Sequence, residues 1–148
     1  MRKRTLASVA ALGLAGALAL PTAAAASEPT DLTPFSFTRL TGAAEVPGPG
    51  DPDGRGFAFV RWDTEDGEVC YNLFVQRIQP AAAAHIHVGG AGASGPVVQD
   101  LAAPTKGYSS GCVYNPDLAA ALAADPENYY VNVHNAEYPG GAVRGQLD

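Results

Sequence analysis

The three histidines of the chain fall in two short segments, His85 and His87 in AHIHV and His134 in YYVNVHN. Both segments alternate apolar and polar residues, a pattern that reads as β-strand. Successive side chains of a strand point to opposite faces, so His85 and His87 share one face while Ile86 and Val88 take the other. Neutral imidazole is a ligand for copper, zinc, iron and nickel. Two rings at i and i+2, joined by a third from a neighbouring strand, would make a three-nitrogen set with an open position. His85, His87 and His134 are therefore the candidate metal ligands, with copper or zinc as the candidate ion. The competing reading is that the rings hydrogen-bond to backbone and brace the glycine-rich segment that follows His87. Four polar residues stand near enough in sequence to orient the rings, Asp100, Tyr130, Asn132 and Glu137, and spacing alone does not choose among them.

Other chemistries lack their residues. Ser94, Ser109 and Ser110 have no nucleophile elbow around them. The glycines at 89–95 lack both the Gly-Lys-Ser/Thr ending of a phosphate loop and the βαβ setting of a dinucleotide fingerprint. Their reading is geometric, a tight connection that uses positive φ. The acids of DPDG (51–54) and DTEDG (63–67) read as solvated turn residues, and the former lacks the ligand set of a calcium loop. No catalytic residue is assigned, and an enzyme is the weaker reading.

The elements that must position the histidines follow a leader. Arg2, Lys3 and Arg4, an apolar run from Leu6 to Leu20 and the small residues Ala24–Ala26 form a secretion signal over residues 1–26. The run is short for a membrane span and has no stop-transfer pattern. Removing it leaves six basic residues against fifteen acidic, a net charge of −9 with neutral histidines. Such a chain repels phosphate backbones, so nucleic acid is not an expected partner; a cation or an extracellular protein is. The two cysteines, Cys70 and Cys112, suit an oxidising compartment and read as one structural disulfide. The expected location is secreted, extracellular or at the cell envelope.

After a polar lead-in at 27–34, a single domain is expected over 35–148. Strands are read at 35–40, 56–62, 68–78, 85–88, 97–101, 112–114, 129–134 and 142–147, with a hairpin turn at 63–67. The alanines at 81–84 read as a connector and residues 103–111 as a loop. One short helix is expected from Pro116 to Ala124: Asn115 is a suitable N-cap, Pro116 suits the first position, and Asp117 complements the helix N-terminus. Many short strands with little helix predict an all-β fold, an antiparallel β-sandwich of Greek-key type.

The assembled segments resemble the CHRD (chordin-type) domain. The likeness is carried by LTGAAEVP (40–47), GFAFV (56–60), CYNLFV (70–75), AHIHVGGAGASGPVV (84–98) and YYVNVHNAEYPGGAVRGQL (129–147). It implies an extracellular β-rich module. It also places Glu45 and Arg144 within characteristic motifs, and a charge-assisted ion pair between them would tie the first loop to the last strand. Chordin's growth-factor antagonism does not follow, because its cysteine-rich modules are absent. A more distant similarity links the H-x-H strand to copper–zinc superoxide dismutases, although their further histidines and zinc loop are missing. The reading is a secreted binding or structural module with a histidine metal site. Its alternatives are a protein-interaction domain with structural histidines and a metal-dependent redox enzyme.

Overall fold

The computed structural model describes residues 33–148; the expected secretion signal and most of the expected lead-in lie outside the described residues. The described chain forms eight strands: β1 (Phe35–Thr41), β2 (Arg55–Asp63), β3 (Glu68–Gln76), β4 (Ala81–Val88), β5 (Val97–Leu101), β6 (Tyr108–Tyr114), β7 (Tyr129–Asn135) and β8 (Val143–Gln146). One helix, α1 (Pro116–Ala124), sits between β6 and β7.

All pairings are antiparallel, in the order β5-β4-β7-β8-β1-β2-β3-β6. The β1–β8 ladder has the single register pair Thr41↔Arg144. This thin seam divides the sheet into two four-stranded halves, β5-β4-β7-β8 and β1-β2-β3-β6. The all-β sandwich with one helix is the fold the sequence predicts.

The core lies between the two halves and follows the period-2 pattern. Ala58, Val60 and Trp62 of β2 and Val69, Tyr71 and Leu73 of β3 point inward from one half. Ala84 and Ile86 of β4, Val131 and Val133 of β7 and Val143 of β8 answer from the other. Helix α1 adds Leu118, Ala119 and Leu122. Its N-cap is the expected one: the Asn115 side chain accepts a hydrogen bond from the Leu118 backbone N–H at 3.1 Å.

Two local expectations are corrected. The alanines at 81–84 are strand, laddered to β7 through Ala81↔Asn135, Ala83↔His134 and Ala84↔Val133. Residues 108–111 belong to β6 and pair with Phe74 to Tyr71 of β3. Alanine and the Ser-Ser-Gly stretch carry no strand preference of their own. The neighbouring strand satisfies their backbone groups, and tertiary pairing overrides propensity.

Cys70 and Cys112 face each other across β3 and β6 and form a disulfide, as expected. Of the turn acids at 51–54, Asp53 is exposed as expected and Asp51 departs from the solvated reading. Asp51 is buried, and its Oδ1 accepts from the backbone N–H groups of Asp53 and Gly54 at 3.2 and 2.9 Å.

Candidate metal centre

His85 and His87 leave β4 on the face away from the core, as their spacing requires. Strand β7 lies beside β4 with His85 opposite Asn132, His87 opposite Tyr130 and Ala83 opposite His134. Tyr130, Asn132 and His134 point to the same side as the β4 pair. His134 therefore reaches the pair diagonally. One nitrogen from each of the three rings falls within 4.8 Å of the others. Ring centroids are 4.8 Å apart for His85–His134, 5.5 Å for His85–His87 and 6.4 Å for His87–His134.

Backbone carbonyls set the tautomers of two rings. His87 Nδ1 lies 2.8 Å from the Gly95 carbonyl oxygen and His134 Nδ1 lies 3.0 Å from that of Pro139. A carbonyl only accepts, so each Nδ1 carries the proton and each Nε2 presents a lone pair. His87 Nε2 is buried without a hydrogen-bond partner. His134 Nε2 faces two groups at 3.0 Å, His85 Nδ1 and Asn132 Oδ1. His85 turns its Nε2 toward the Asp100 carboxylate, 3.6 Å away. Carboxylate and carbonyl partners on the distal nitrogens are the usual arrangement behind metal-bound histidines.

The electrostatics favour the neutral form of His85 and His134. Burial lowers the pKa of His85, the neighbouring His87 lowers it further, and Asp100 and Asn132 partly oppose this. Burial likewise lowers that of His134, against the Pro139 carbonyl. Neutral imidazole is the form that binds metal.

The surround comes from β7, β8 and the glycine loop at 89–95. The Tyr130 ring stacks on His87 at 4.7 Å, nearly parallel, and its hydroxyl receives the Gly95 N–H at 3.2 Å. The Arg144 guanidinium lies 3.4 Å from the centre of the same tyrosine ring. Arg144 donates to the Ala93 and Gly90 carbonyls at 2.8 and 3.1 Å and so clamps the glycine loop. Gln146 adds a bond to the Gly89 carbonyl at 2.9 Å. The loop that carries the Gly95 carbonyl is thus held from β7 and β8.

The Glu45–Arg144 expectation takes a different form. Among the described residues Arg61 makes an ion pair with Glu68, and His85 faces Asp100 as a neutral ring. The Arg144 guanidinium is committed to the glycine loop and Tyr130, and its charge acts on Glu45 through space. Glu45 is buried, with Oε1 unpartnered. Its pKa is raised to about 7 by burial, against the Arg144 charge, the Asn132 side chain and the Val46 backbone N–H. Asn132 thereby links Glu45 to the histidines.

Of the four orienting candidates, the structure brings Asp100, Tyr130 and Asn132 to the rings. Glu137 lines a separate cleft with Asp51, Asp53 and Arg77. The Gly95 and Pro139 carbonyls were missed, because every residue has a carbonyl and no residue type marks them. Gln146 was missed as a brace; its only signal was its place within the RGQL ending. The other cluster of metal-ligand residue types, Glu68 with Cys70 and Cys112, has its sulfurs in the disulfide.

This geometry is built from the segments in which the sequence resembles a known domain, and comparison with family models matches the CHRD domain over residues 36–147. The chain belongs to the CHRD domain family. Neither the curated proteins nor the solved structures contain a match to it. CHRD domains are extracellular β-fold modules, in keeping with the disulfide here. No helix among the described residues of this CHRD domain is long and apolar enough to cross a membrane.

Proposed function

We propose that this CHRD domain is an exported binding module that holds one transition-metal ion, copper or zinc, on His85, His87 and His134. The observation that carries the reading is the convergence of unprotonated ring nitrogens. His134 faces acceptors on both sides, with the Pro139 carbonyl at Nδ1 and Asn132 Oδ1 at Nε2. A neutral imidazole has one N–H and satisfies only one of them. His87 Nε2 is a buried lone pair with no donor at all. Leaving such a group unsatisfied costs about 1–3 kcal/mol, and a cation among the three rings removes that cost. His87 and His134 would bind through Nε2. His85 would bind through Nδ1, with its Nε2–H turned to Asp100.

Elemental analysis and calorimetry of untagged exported protein test this. One equivalent of copper or zinc per chain is expected, with affinity at least about 100-fold weaker in His87→Ala and His134→Ala. Affinity should fall as pH drops below about 6.5, where free imidazole protonates, and the depressed pKa values of His85 and His134 place the midpoint lower still. Negligible metal in the supplemented wild type would defeat the proposal.

A second reading has its own support. His85 Nδ1 and His134 Nε2 stand at hydrogen-bond distance, 3.0 Å, so a proton between them closes the pair without a metal. The histidines would then brace a protein-interaction surface. On that reading His134→Ala destabilises the fold whether or not metal is supplied. On the metal reading the loss appears only when copper or zinc is present. Redox catalysis requires more than binding, and absence of superoxide or peroxide turnover in copper-loaded protein would remove it.

A further inference from the structure

All five phenylalanines of the chain, Phe35, Phe37, Phe57, Phe59 and Phe74, lie on the outer face of the β1-β2-β3-β6 half, and none belongs to the core. Four of them are more than 40% exposed. The registers place them in rows across the sheet. Arg39, Phe57, Phe74 and Tyr108 make one row, Phe37, Phe59, Asn72 and Ser110 the next, and Phe35, Arg61, Cys70 and Cys112 the third. Phe35 stacks on Phe59 at 5.1 Å, Phe37 on Phe57 at 5.4 Å, and Phe74 leans on Tyr108 at 4.7 Å. Rings stacked on one another present their edges outward. They form ridges that interdigitate with another ridged surface, not an open platform for a flat ring.

The charges on this face are polarised along the strands. Beyond the first row lie Arg55 and Gln76; beyond the third lie Asp63 and Glu68, next to the turn acids Glu65 and Asp66. One end is therefore cationic, through Arg39 and Arg55, and the other acidic. Arg61 and Glu68 partly neutralise each other at 3.6 Å, and Asp63 remains as a firmly ionised carboxylate, its pKa lowered by the backbone N–H groups of Asp66 and Glu65.

We propose that this face docks a second copy of the chain, sheet against sheet, about a two-fold axis lying across the strands. That rotation sets the cationic end of each copy over the acidic end of the other, so the surface is complementary to itself. An aromatic-rich centre with charges at the rim is the composition of a protein interface. Four strands and five rows cover about 20 Å by about 27 Å, so two copies bury on the order of 1,000 Å², the threshold for a weak specific interface. The dimer is therefore expected at micromolar concentrations and weakened by salt.

Sedimentation velocity of the exported protein over a range from about 1 to 500 μM tests this. The wild type should pass from monomer to dimer. The double variant Phe37→Ser, Phe57→Ser should raise the dissociation constant at least about tenfold with an unchanged melting temperature. Arg39→Glu with Arg55→Glu makes both ends acidic, and Asp63→Lys with Glu68→Lys makes both basic. Each charge variant alone should be monomeric, and an equimolar mixture of the two should regain the dimer. A wild type that stays monomeric throughout overturns the proposal, including one that instead partitions onto lipid vesicles. So does a dimer indifferent to the phenylalanine changes, or two charge variants that fail to pair with each other.

Discussion

At the scale of single residues, the chemistry of this CHRD domain rests on what each polar atom finds opposite it. His87 Nε2 and Glu45 Oε1 are buried without partners. Glu45 differs in sign with pH from His85 and His134. The folded pKa of Glu45, about 7, stands above its unfolded value. Its contribution to stability is therefore fully present below the unfolded pKa and lost as pH rises through the folded one. His85 and His134 run the other way: depressed folded values mean stability is lost as pH falls below the ordinary imidazole pKa. Glu45→Gln should accordingly raise stability at pH 8 by about 2 kcal/mol, because the amide avoids burying a charge. At pH 4 the gain should vanish. Urea melts at the two pH values check this, and an equal effect at both would mean that the carboxyl does not titrate on folding.

At the scale of elements, two adjacent strands and one loop make the site. The β4–β7 register brings His134 diagonal to His85, and a slip by one residue would send its ring to the core face. The 89–95 loop delivers the Gly95 carbonyl that sets the His87 tautomer. A Cβ at Gly95 would collide with the Val88 carbonyl, so the loop cannot keep its place with alanine there. Gly95→Ala is expected to cost about 2 kcal/mol and to lower metal affinity with it, because the carbonyl moves. Gly92→Ala makes the contrast. Its φ is +79° and nothing lies within 4 Å of the added carbon, so it should cost about 1 kcal/mol and leave affinity unchanged. Thermal melts with and without metal separate the two.

At the scale of the whole molecule, the sandwich has two outer faces with different characters. One carries the histidines beneath a clamped loop; the other carries the phenylalanines and the disulfide. The Cys70–Cys112 bridge spans 42 residues, including β4, β5 and the glycine loop between them. Closing a loop of that length restricts the unfolded chain by about 4 kcal/mol in the entropy model. Cys70→Ala with Cys112→Ala should lose about 2–4 kcal/mol in urea melts without removing the proposed metal site, since the bridge lies in the other half of the sheet. Loss of metal binding in a variant that still folds would show that the halves are coupled through the core.

Much of this protein is legible in its residues taken in order. Alternation in GFAFVRW, AHIHV and YYVNVHN separates the faces, and Asn115-Pro116-Asp117 marks the helix start, because both signals are local. The CHRD motifs and the candidate ligands His85, His87 and His134 follow from the same reading. Tertiary structure decided what depends on neighbours distant in sequence. It turned Ala81–Ala84 into strand, because β7 supplied their hydrogen bonds, and it sent Arg144 to the glycine loop and Tyr130 in place of Glu45. It also placed all five phenylalanines on one outer surface, since strand order, which no local pattern encodes, determines which faces adjoin. Residue type announces which groups can donate, accept or coordinate; only the folded arrangement of strands settles which of them meet.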